Sequence, residues 1–286
     1  MTLHDSVFGA CILTPLCTAF LNTREHYRLK HVSMNHADIL YPSVCYSRRE
    51  HCIAVMELAR RWAQKLTQDD RLIDLIALAG SYHDVGHVSL SHTMDQFLVN
   101  AGLPDHEERS THIVRRVNKR LRGMLSTAEE DFVCNCISGK EPTEGTYPTW
   151  AYHIVHQPDR SLPDVDRIVY LCHDSYKLGV ECHIDVPWIT ENIYIDQKRS
   201  LGFKSECTDD LEYIIELRTS LFSRVFQHPV VIAYQTFLLS RFSMLYTEGR
   251  LVNLFSDFAW LELTDVLIWN ILHQDEETMS KIQSYN

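Results

Sequence analysis

Four residues of types that commonly bind metal ions are spaced along this chain as a histidine, a distant His-Asp pair and a distant aspartate. They are His51, His83, Asp84 and Asp166. Two neutral imidazoles and two carboxylates can hold one divalent transition-metal ion, and an ion held in this way can activate water for attack on a phosphate ester. Each of the four falls in or beside a segment with helical periodicity. If they form one site, the helices that carry them must converge.

The composition fits a globular protein that acts on small molecules. The chain has 286 residues, of which 45% are hydrophobic and 23% charged, enough to bury a sizeable core. Its formal net charge of -11 argues against broad, sequence-independent nucleic-acid binding, which needs a basic surface. An anionic small substrate is still compatible with this charge, because a metal ion and a few arginines can reverse the potential inside one cleft.

The cysteines and the hydropathy pattern bear on the compartment. Nine cysteines occur without a Cys-x-x-Cys pair, which predicts free thiols in a reducing environment. The N-terminus lacks a signal-peptide pattern, and no apolar run reaches the roughly 18 residues of a membrane span. We therefore expect a soluble intracellular protein of the cytoplasm or nucleus, without a membrane partner.

The hydrophobic periodicity predicts an all-α fold with one short β-hairpin. Apolar residues recur every three or four positions through most of the chain. Two short runs with β-type composition, 180–184 and 192–196, predict a hairpin around 179–204. The predicted helices cover residues 50–66, 70–84, 91–101, 106–121, 127–138, 147–156, 164–178, 209–227, 229–246 and 258–272.

A glycine- and proline-containing stretch over 138–147 predicts a loop. The candidate metal ligands lie on both sides of it, so it is not expected to separate two domains. We predict a single domain over residues 1–286, with a core at about 5–246 and further helices in 247–286.

Helical spacing places other polar residues beside the candidate ligands. Arg48 precedes His51 by three residues, so a cation shares the face of the first ligand. Asp166, Tyr170 and Asp174 follow each other at intervals of four, so one stripe of a helix presents two carboxylates and an aromatic ring.

The order of these residues resembles the signature of the HD-domain phosphohydrolases. The similarity extends from about residue 5 to 246 and is greatest to the SAM- and HD-domain-containing deoxynucleoside triphosphate triphosphohydrolase (dNTPase) branch. The resemblance implies hydrolysis of a dNTP to a deoxynucleoside and inorganic triphosphate. The motifs that carry it are Tyr41-Pro42, Ser47-Arg48-Arg49-Glu50-His51, His83-Asp84-Val85-Gly86-His87, Ser91-His92, Asp105-His106-Glu107, Asp164-Val165-Asp166-Arg167, Leu178-Gly179-Val180 and Phe226-Gln227-His228.

The same resemblance implies a role for each matching residue. The implied metal ligands are His51, His83, Asp84 and Asp166. The implied catalytic residues are His87 and His92 at the α-phosphate, Asp95 and Glu107 as partners that orient imidazoles, and His106 as the proton donor to the leaving oxygen. The implied substrate-binding residues are Arg48, Arg167 and Arg218 for the triphosphate, Tyr170 and Asp174 for the deoxyribose, and Phe226 and Gln227 near the base.

The resemblance also implies cofactors and partners. One divalent transition metal (Fe, Mn, Zn or Co) is expected at the four ligands, and Mg²⁺ is a reasonable second ion on the substrate phosphates. A homo-oligomer is compatible with the resemblance. At the positions of the family's guanine-nucleotide effector site this chain has Asn22, Tyr27 and Lys30, so we expect activation by GTP to be absent or altered.

Two other functions remain open on the sequence. One is a different HD phosphohydrolase, such as a nucleoside monophosphate phosphatase or a phosphodiesterase. Three arginines exceed what a monophosphate needs, which favours a triphosphate substrate. The other is a nucleotide-binding regulatory protein without turnover, although a complete ligand set is typical of an active enzyme.

Overall fold

The fold is mainly helical, as predicted. A computed structural model describes residues 1–143, 145–159, 161–249, 258–274 and 280. No helix in these ranges is both long and apolar enough to cross a bilayer. Their α-helices are α1 Pro15–Leu21, α2 Arg24–Tyr27, α3 Arg48–Leu66, α4 Asp70–Tyr82, α5 Ser91–Asn100, α6 His106–Arg120, α7 Thr127–Ser138, α8 Thr149–Tyr152, α9 Val165–Leu178, α10 Val186–Asn192, α11 Thr208–Leu221, α12 Pro229–Thr247 and α13 Asp265–His273. Two antiparallel hairpins complete them, β1 Thr2–Asp5 with β2 Gly9–Ile12 and β3 Ile193–Ile195 with β4 Leu201–Phe203.

Capping side chains set the helix boundaries that matter for the site. The Ser47 side chain accepts a hydrogen bond from the Glu50 amide, so α3 begins at Arg48 rather than at the predicted residue 50. Asp164 caps α9 in the same way by accepting from the Arg167 amide. Gly179 ends α9 in the left-handed conformation at φ 66°.

The core is organised around the pair α3 and α4. Gly80 lets the two helices approach closely, because a Cβ at this position would lie 3.1 Å from the Val55 carbonyl oxygen and 3.2 Å from Ala59 Cβ. On this pair, α9 packs against α3 and α7 packs against α4. The arrangement brings His51 on α3, the residues that follow α4 and Asp166 on α9 to one place. That residues 1–286 form a single domain stays a prediction.

The second hairpin lies where it was predicted, but one of its two strands is not the strand that was predicted. β3 lies within the predicted run 192–196, and its partner is β4, with Ile193 opposite Phe203. The predicted strand at 180–184 does not form, because this segment follows the reversal at Gly179. The Val180 amide donates to the Ser175 carbonyl oxygen (2.9 Å), which ties the segment to the end of α9. The N-terminal hairpin of β1 and β2 was not predicted.

Two predicted helices are shorter than expected. The helix predicted at 147–156 is limited to α8, and residues 153–157 continue as a buried turn. The helix predicted at 258–272 divides into a 3-10 turn, Ala259–Glu262, and α13. Between them the Leu263 carbonyl oxygen accepts a hydrogen bond from the Ser89 amide (2.7 Å) instead of from an amide of its own helix. Much of the predicted helical region 247–286 lies outside the described residues.

The turn after α4 is fastened to α6. The Gly86 amide donates to Ser110 Oγ (2.8 Å), and this hydroxyl donates to the His83 carbonyl oxygen (2.8 Å). A Cβ on Gly86 would lie 2.2 Å from the His106 carbonyl oxygen and 2.7 Å from the Ser110 amide nitrogen. Only glycine allows the turn to approach α6 this closely.

We expect Gly86→Ala to lower the free energy of unfolding by about 2 kcal/mol or more, because a methyl group would push the turn away from α6. Gly179→Ala is the matched control. Gly179, unlike Gly86, has positive φ, but a Cβ at Gly179 would have nothing within 4 Å, so only backbone strain of about 1 kcal/mol applies. Urea unfolding followed by circular dichroism measures both. Equal losses in the two variants would contradict the close-contact explanation.

Candidate metal centre and active-site cleft

Three of the predicted metal ligands bring their donor atoms together. His51 Nε2 lies 2.9 Å from Asp166 Oδ1 and 3.2 Å from His83 Nε2. His83 Nε2 lies 3.4 Å from the same Asp166 oxygen. Donors about 2.0–2.2 Å from a shared ion are roughly 3 to 3.5 Å apart. The three atoms therefore fit one metal ion.

Asp84 supplies a fourth donor at the edge of this group. Its Oδ2 lies 3.5 Å from His83 Nε2 and 3.7 Å from His51 Nε2. The same oxygen accepts a hydrogen bond from Arg48 Nη1. The two imidazoles and two carboxylates suit Fe, Mn, Zn or Co.

A backbone contact orients one of the imidazoles for metal binding. His83 Nδ1 lies 2.7 Å from the Gly80 carbonyl oxygen, which is placed to accept the N–H from this nitrogen. Nε2 then keeps its lone pair toward His51 and Asp166. This arrangement, in which the second nitrogen of a ligating histidine donates to a carbonyl, is common around protein-bound metals.

The charges in the site lower the pKa values of the carboxylic acids and raise the pKa of one histidine. Burial alone would raise the pKa of Asp166, but hydrogen bonds from His51 and His83 outweigh it and hold the pKa well below the usual range. Burial would also lower the pKa of His83, but Asp84 and Asp166 raise it to about 9. Both carboxylates are therefore ionised at neutral pH. A metal ion would displace the proton of His83.

Three further histidines form a compact group beside the metal ligands. The His87 and His106 rings stack at 4.1 Å between centroids, and the His92 ring meets them edge-on at 4.7 and 5.3 Å. Burial lowers the pKa of His87 well below its ordinary value and that of His92 to about 4. Both are neutral at pH 7. His87 Nε2 lies 3.5 Å from Asp84 Oδ1, so this group adjoins the metal site directly.

The two predicted orienting carboxylates behave differently. Asp95 Oδ2 lies 2.9 Å from His106 Nδ1 and its other oxygen accepts from Arg109. Burial would raise the pKa of Asp95, but these contacts lower it to about 2. Glu107 instead lies 3.6 Å from His156 Nδ1, so its contact is with a histidine outside the predicted set.

A cleft of about 570 Å³ opens above the metal ligands. Arg218 reaches it from an exposed position, with Nε donating to the Tyr170 hydroxyl (3.1 Å) and the guanidinium 4.6 Å from the centre of the Phe222 ring. Arg167 is half-buried and donates to the carbonyl oxygens of Leu162 and Gln157 (2.6 and 3.0 Å). The predicted residues that line the cleft are Arg48, His83, Asp84, His92, His106, Glu107, Asp166, Arg167, Tyr170 and Arg218.

Arg48 lines the same cleft but is only 1% exposed. Its Nε donates to Ser91 Oγ (2.8 Å) in addition to the Asp84 contact. The side chain is therefore engaged mainly by protein groups, unlike Arg218.

A second cavity of about 470 Å³ continues from the first and shares its lining at Met34, His92, Tyr170 and Phe222. Asp174 lies in its wall and accepts hydrogen bonds on Oδ1 from the Tyr46 hydroxyl (2.8 Å) and Asn35 Nδ2 (3.3 Å). Burial raises the pKa of Asp174 to about 7.

A wide helical turn brings the last two predicted residues into this second cavity. The helix predicted at 209–227 is α11 followed by a π-helical turn, Phe222–Phe226. In this turn the Gln227 amide donates to the Phe222 carbonyl oxygen (2.8 Å), five residues back. Phe226 and Gln227 both line the second cavity.

Comparisons with known proteins agree with this geometry. The family model described as HD domain matches residues 48–175. The matched segment runs from Arg48 at the start of α3 to Ser175 in α9, so it contains all four candidate metal ligands.

Similar proteins cover most of the chain. The HD domain-containing protein L394 of Acanthamoeba polyphaga mimivirus is 22% identical over 93% of this chain and 63% of its own length. The deoxynucleoside triphosphate triphosphohydrolase SAMHD1 of Mus musculus is 22% identical over 98% of this chain and 51% of its own length. Its homologue in Dictyostelium discoideum is 26% identical over 80% and 46%. The resemblance predicted from the motifs is confirmed at modest identity, and the chain spans roughly half the length of these relatives.

Several residues of the two cavities were not predicted. They come from turns and loops, where no hydrophobic periodicity indicates them. Asp164 alone could have been found from the sequence, as the helix cap two residues before Asp166. Burial raises the pKa of Asp164 to about 6. The residues missed are Met34, Asn35, Tyr46, His156, Gln157 and Asp164.

The affinity for a divalent ion should depend on pH through His83. Because the pKa of His83 is about 9 in the metal-free protein, a proton must leave before Nε2 can bind an ion. Burial lowers the pKa of His51, so it adds no second proton at neutral pH. We expect the apparent dissociation constant for Mn²⁺ to fall about tenfold per pH unit between about pH 6 and pH 8.

Titration calorimetry of the metal-free protein, repeated in buffers of different ionisation enthalpy, measures both the affinity and the number of protons released. One proton per ion is expected. A dissociation constant that does not change over this range, or binding without proton release, would show that His83 is not a protonated ligand.

Proposed function

We propose that this protein is a metal-dependent phosphohydrolase that cleaves deoxynucleoside triphosphates to a deoxynucleoside and inorganic triphosphate. The observation that supports it most is the continuity of two unlike cavities. Three of the four candidate metal ligands (His83, Asp84 and Asp166) line a cleft with three arginines, and this cleft opens into a cavity with aromatic, amide and carboxylic groups. A nucleotide has the same division between an anionic end and an amphipathic end.

The arginines of the first cleft account for the anionic end. Arg218 is exposed at the cleft and has donors left after its single bond to Tyr170. Arg167 has its guanidinium held by two carbonyl oxygens, which fixes its position. Guanidinium groups at fixed positions suit phosphate oxygens, and Mg²⁺ on the substrate phosphates would add to their charge.

The second cavity accounts for the nucleoside end. The Tyr170 ring lies where the two cavities meet, and the Asp174 carboxyl group lies in the wall of the second cavity, as expected for groups that bind a sugar and its hydroxyl. Asp174 Oδ1 is already engaged by Tyr46 and Asn35. Its Oδ2 is the oxygen we assign to the ligand. Phe226 and Gln227 lie further along the cavity, at the position proposed for the base.

A bound metal ion would supply an activated water at the α-phosphorus and neutralise charge that develops there. His51, His83, Asp84 and Asp166 would hold the ion, and the arginines would align the triphosphate so that the sugar oxygen on the α-phosphorus is the leaving group. His106 would deliver the proton to the departing sugar oxygen from Nε2. Asp95, bonded to Nδ1, would orient the ring and stabilise its charged form.

The decisive experiment identifies the products. Purified protein is incubated with each dNTP and NTP in the presence of Mn²⁺, Mg²⁺, Fe²⁺ or Co²⁺, and products are separated by ion-exchange chromatography. We expect deoxynucleoside and triphosphate in equal amounts. His83→Ala and Asp84→Ala should lower the rate at least about 100-fold, because each removes a metal ligand.

His112→Ala is the control, since His112 is on α6 but exposed and outside the cleft. It should keep full activity. Release of phosphate or pyrophosphate as the sole inorganic product would favour a different HD phosphohydrolase. Nucleotide binding without turnover under every metal would favour a regulatory protein.

Arg218 and Arg224 offer a charge-matched pair of substitutions. Both are exposed arginines in or just after α11, but only Arg218 lines the cleft. We expect Arg218→Ala to raise KM for the triphosphate about tenfold, because one charge-assisted hydrogen bond contributes about 1.5 kcal/mol. Arg224→Ala should leave KM unchanged. If steady-state kinetics show that both substitutions raise KM equally, the weaker substrate binding reflects the change in net charge and not the loss of a contact.

A further inference from the structure

Two cysteines lie side by side on the surface of α9 that faces away from the cleft. Cys172 is in α9, and Cys182 follows in the irregular segment before α10. Their Sγ atoms are 4.0 Å apart. Both are free thiols in this structure.

The pair differs from the buried cysteines of the core in its access to solutes. Both residues line a groove of about 580 Å³, together with residues 6–8 of the N-terminal turn and Arg61. Cys182 is partly exposed in this groove. By contrast, Cys17, Cys52 and Cys136 are buried, and burial raises the pKa of each of these thiols.

The neighbouring thiol also changes the chemistry of Cys182. The hydrogen bond between the two thiols lowers the pKa of Cys182 below its ordinary range, while the pKa of Cys172 is raised by the same contact. A thiolate in contact with solvent, beside a second thiol, is the arrangement that reactive dithiols share.

We propose that Cys172 and Cys182 are an oxidation site at which hydrogen peroxide produces a reversible intramolecular disulfide. The two sulfurs must move closer by about 2 Å to form the bond, and the segment at 180–184 has no helical or strand hydrogen-bond ladder of its own to oppose this movement. The inference does not depend on the proposed hydrolase activity.

The reaction balances in two steps. The Cys182 thiolate attacks one peroxide oxygen, the O–O bond breaks, and the hydroxide that leaves takes a proton to become water. The Cys172 sulfur then attacks the sulfenic acid of Cys182, the S–O bond breaks, and the leaving hydroxide takes the proton of Cys172 as a second water. Two thiols are oxidised to one disulfide, and one peroxide is reduced to two waters.

The chain allows a direct test on the unmodified protein. Trypsin cuts after Lys177, between the two cysteines, so peptides 168–177 and 178–198 each contain one of them. Reduced protein is treated with peroxide, blocked with N-ethylmaleimide and digested without reductant. We expect the two peptides as one disulfide-linked species, which dithiothreitol separates. Both peptides recovered in the alkylated form, after peroxide has oxidised Cys45, would overturn the proposal.

Variants identify the attacking sulfur. In Cys172→Ser the sulfenic acid on Cys182 has no partner, so dimedone should label peptide 178–198. Cys182→Ser should form no disulfide, and dimedone should not label Cys172. Cys45→Ser, which removes an exposed thiol elsewhere, should leave disulfide formation unchanged. Cross-linking of Cys182 to any cysteine other than Cys172 would also contradict the assignment, and peptide mapping of the wild-type protein shows it without any variant.

Discussion

The contact on which the site depends is the close crossing of α3 and α4, with α9 against α3. It brings the side chains of His51, His83, Asp84 and Asp166 so close together that their charges interact strongly. Burying two carboxylates is unfavourable unless cations or hydrogen-bond donors are nearby. Here imidazoles and one guanidinium serve this purpose, and a metal ion would serve it better. The packing of the core and the affinity of the site for a cation are therefore two consequences of the same arrangement.

Arg48 supplies this guanidinium, and its contacts bear on which arginines of the cleft can bind a substrate. It is bonded to Asp84 and to Ser91, and the Ser91 hydroxyl donates to the Ser33 carbonyl oxygen (2.7 Å). These bonds hold a strained turn, since Leu90 and Ser91 both have positive φ (63° and 43°). Arg48 thus supports the ligand Asp84 and the chain leading to His92. Arg167 and Arg218 are left as the arginines better placed for a substrate.

The sequence predicted most of this where periodicity and caps determine the structure. The helices around His51 and Asp166 were placed within two residues, because amphipathic spacing and side-chain caps are local. The strand expected at 180–184 failed because Gly179 ends α9 with a reversal and the Val180 amide donates back to the Ser175 carbonyl oxygen. Tyr46 and Asn35 reach Asp174 from loops distant in sequence. Nothing in a single sequence indicates such contacts, so the metal ligands could be predicted but not the groups that surround the second cavity.

The histidine group illustrates how burial itself can prepare a site for an anion. Three imidazoles with centroids 4.1 to 5.3 Å apart would repel one another and Arg48 if all were charged. Burial keeps His87 and His92 neutral, so the group can form next to a metal ion without this repulsion. Both ring nitrogens of His87 are buried without a hydrogen-bond partner among the described residues. An unsatisfied buried polar group is unfavourable by about 1–3 kcal/mol. A hydrogen-bond acceptor beside the His87 ring would recover part of this energy, so the buried imidazole favours an anion next to the metal ligands.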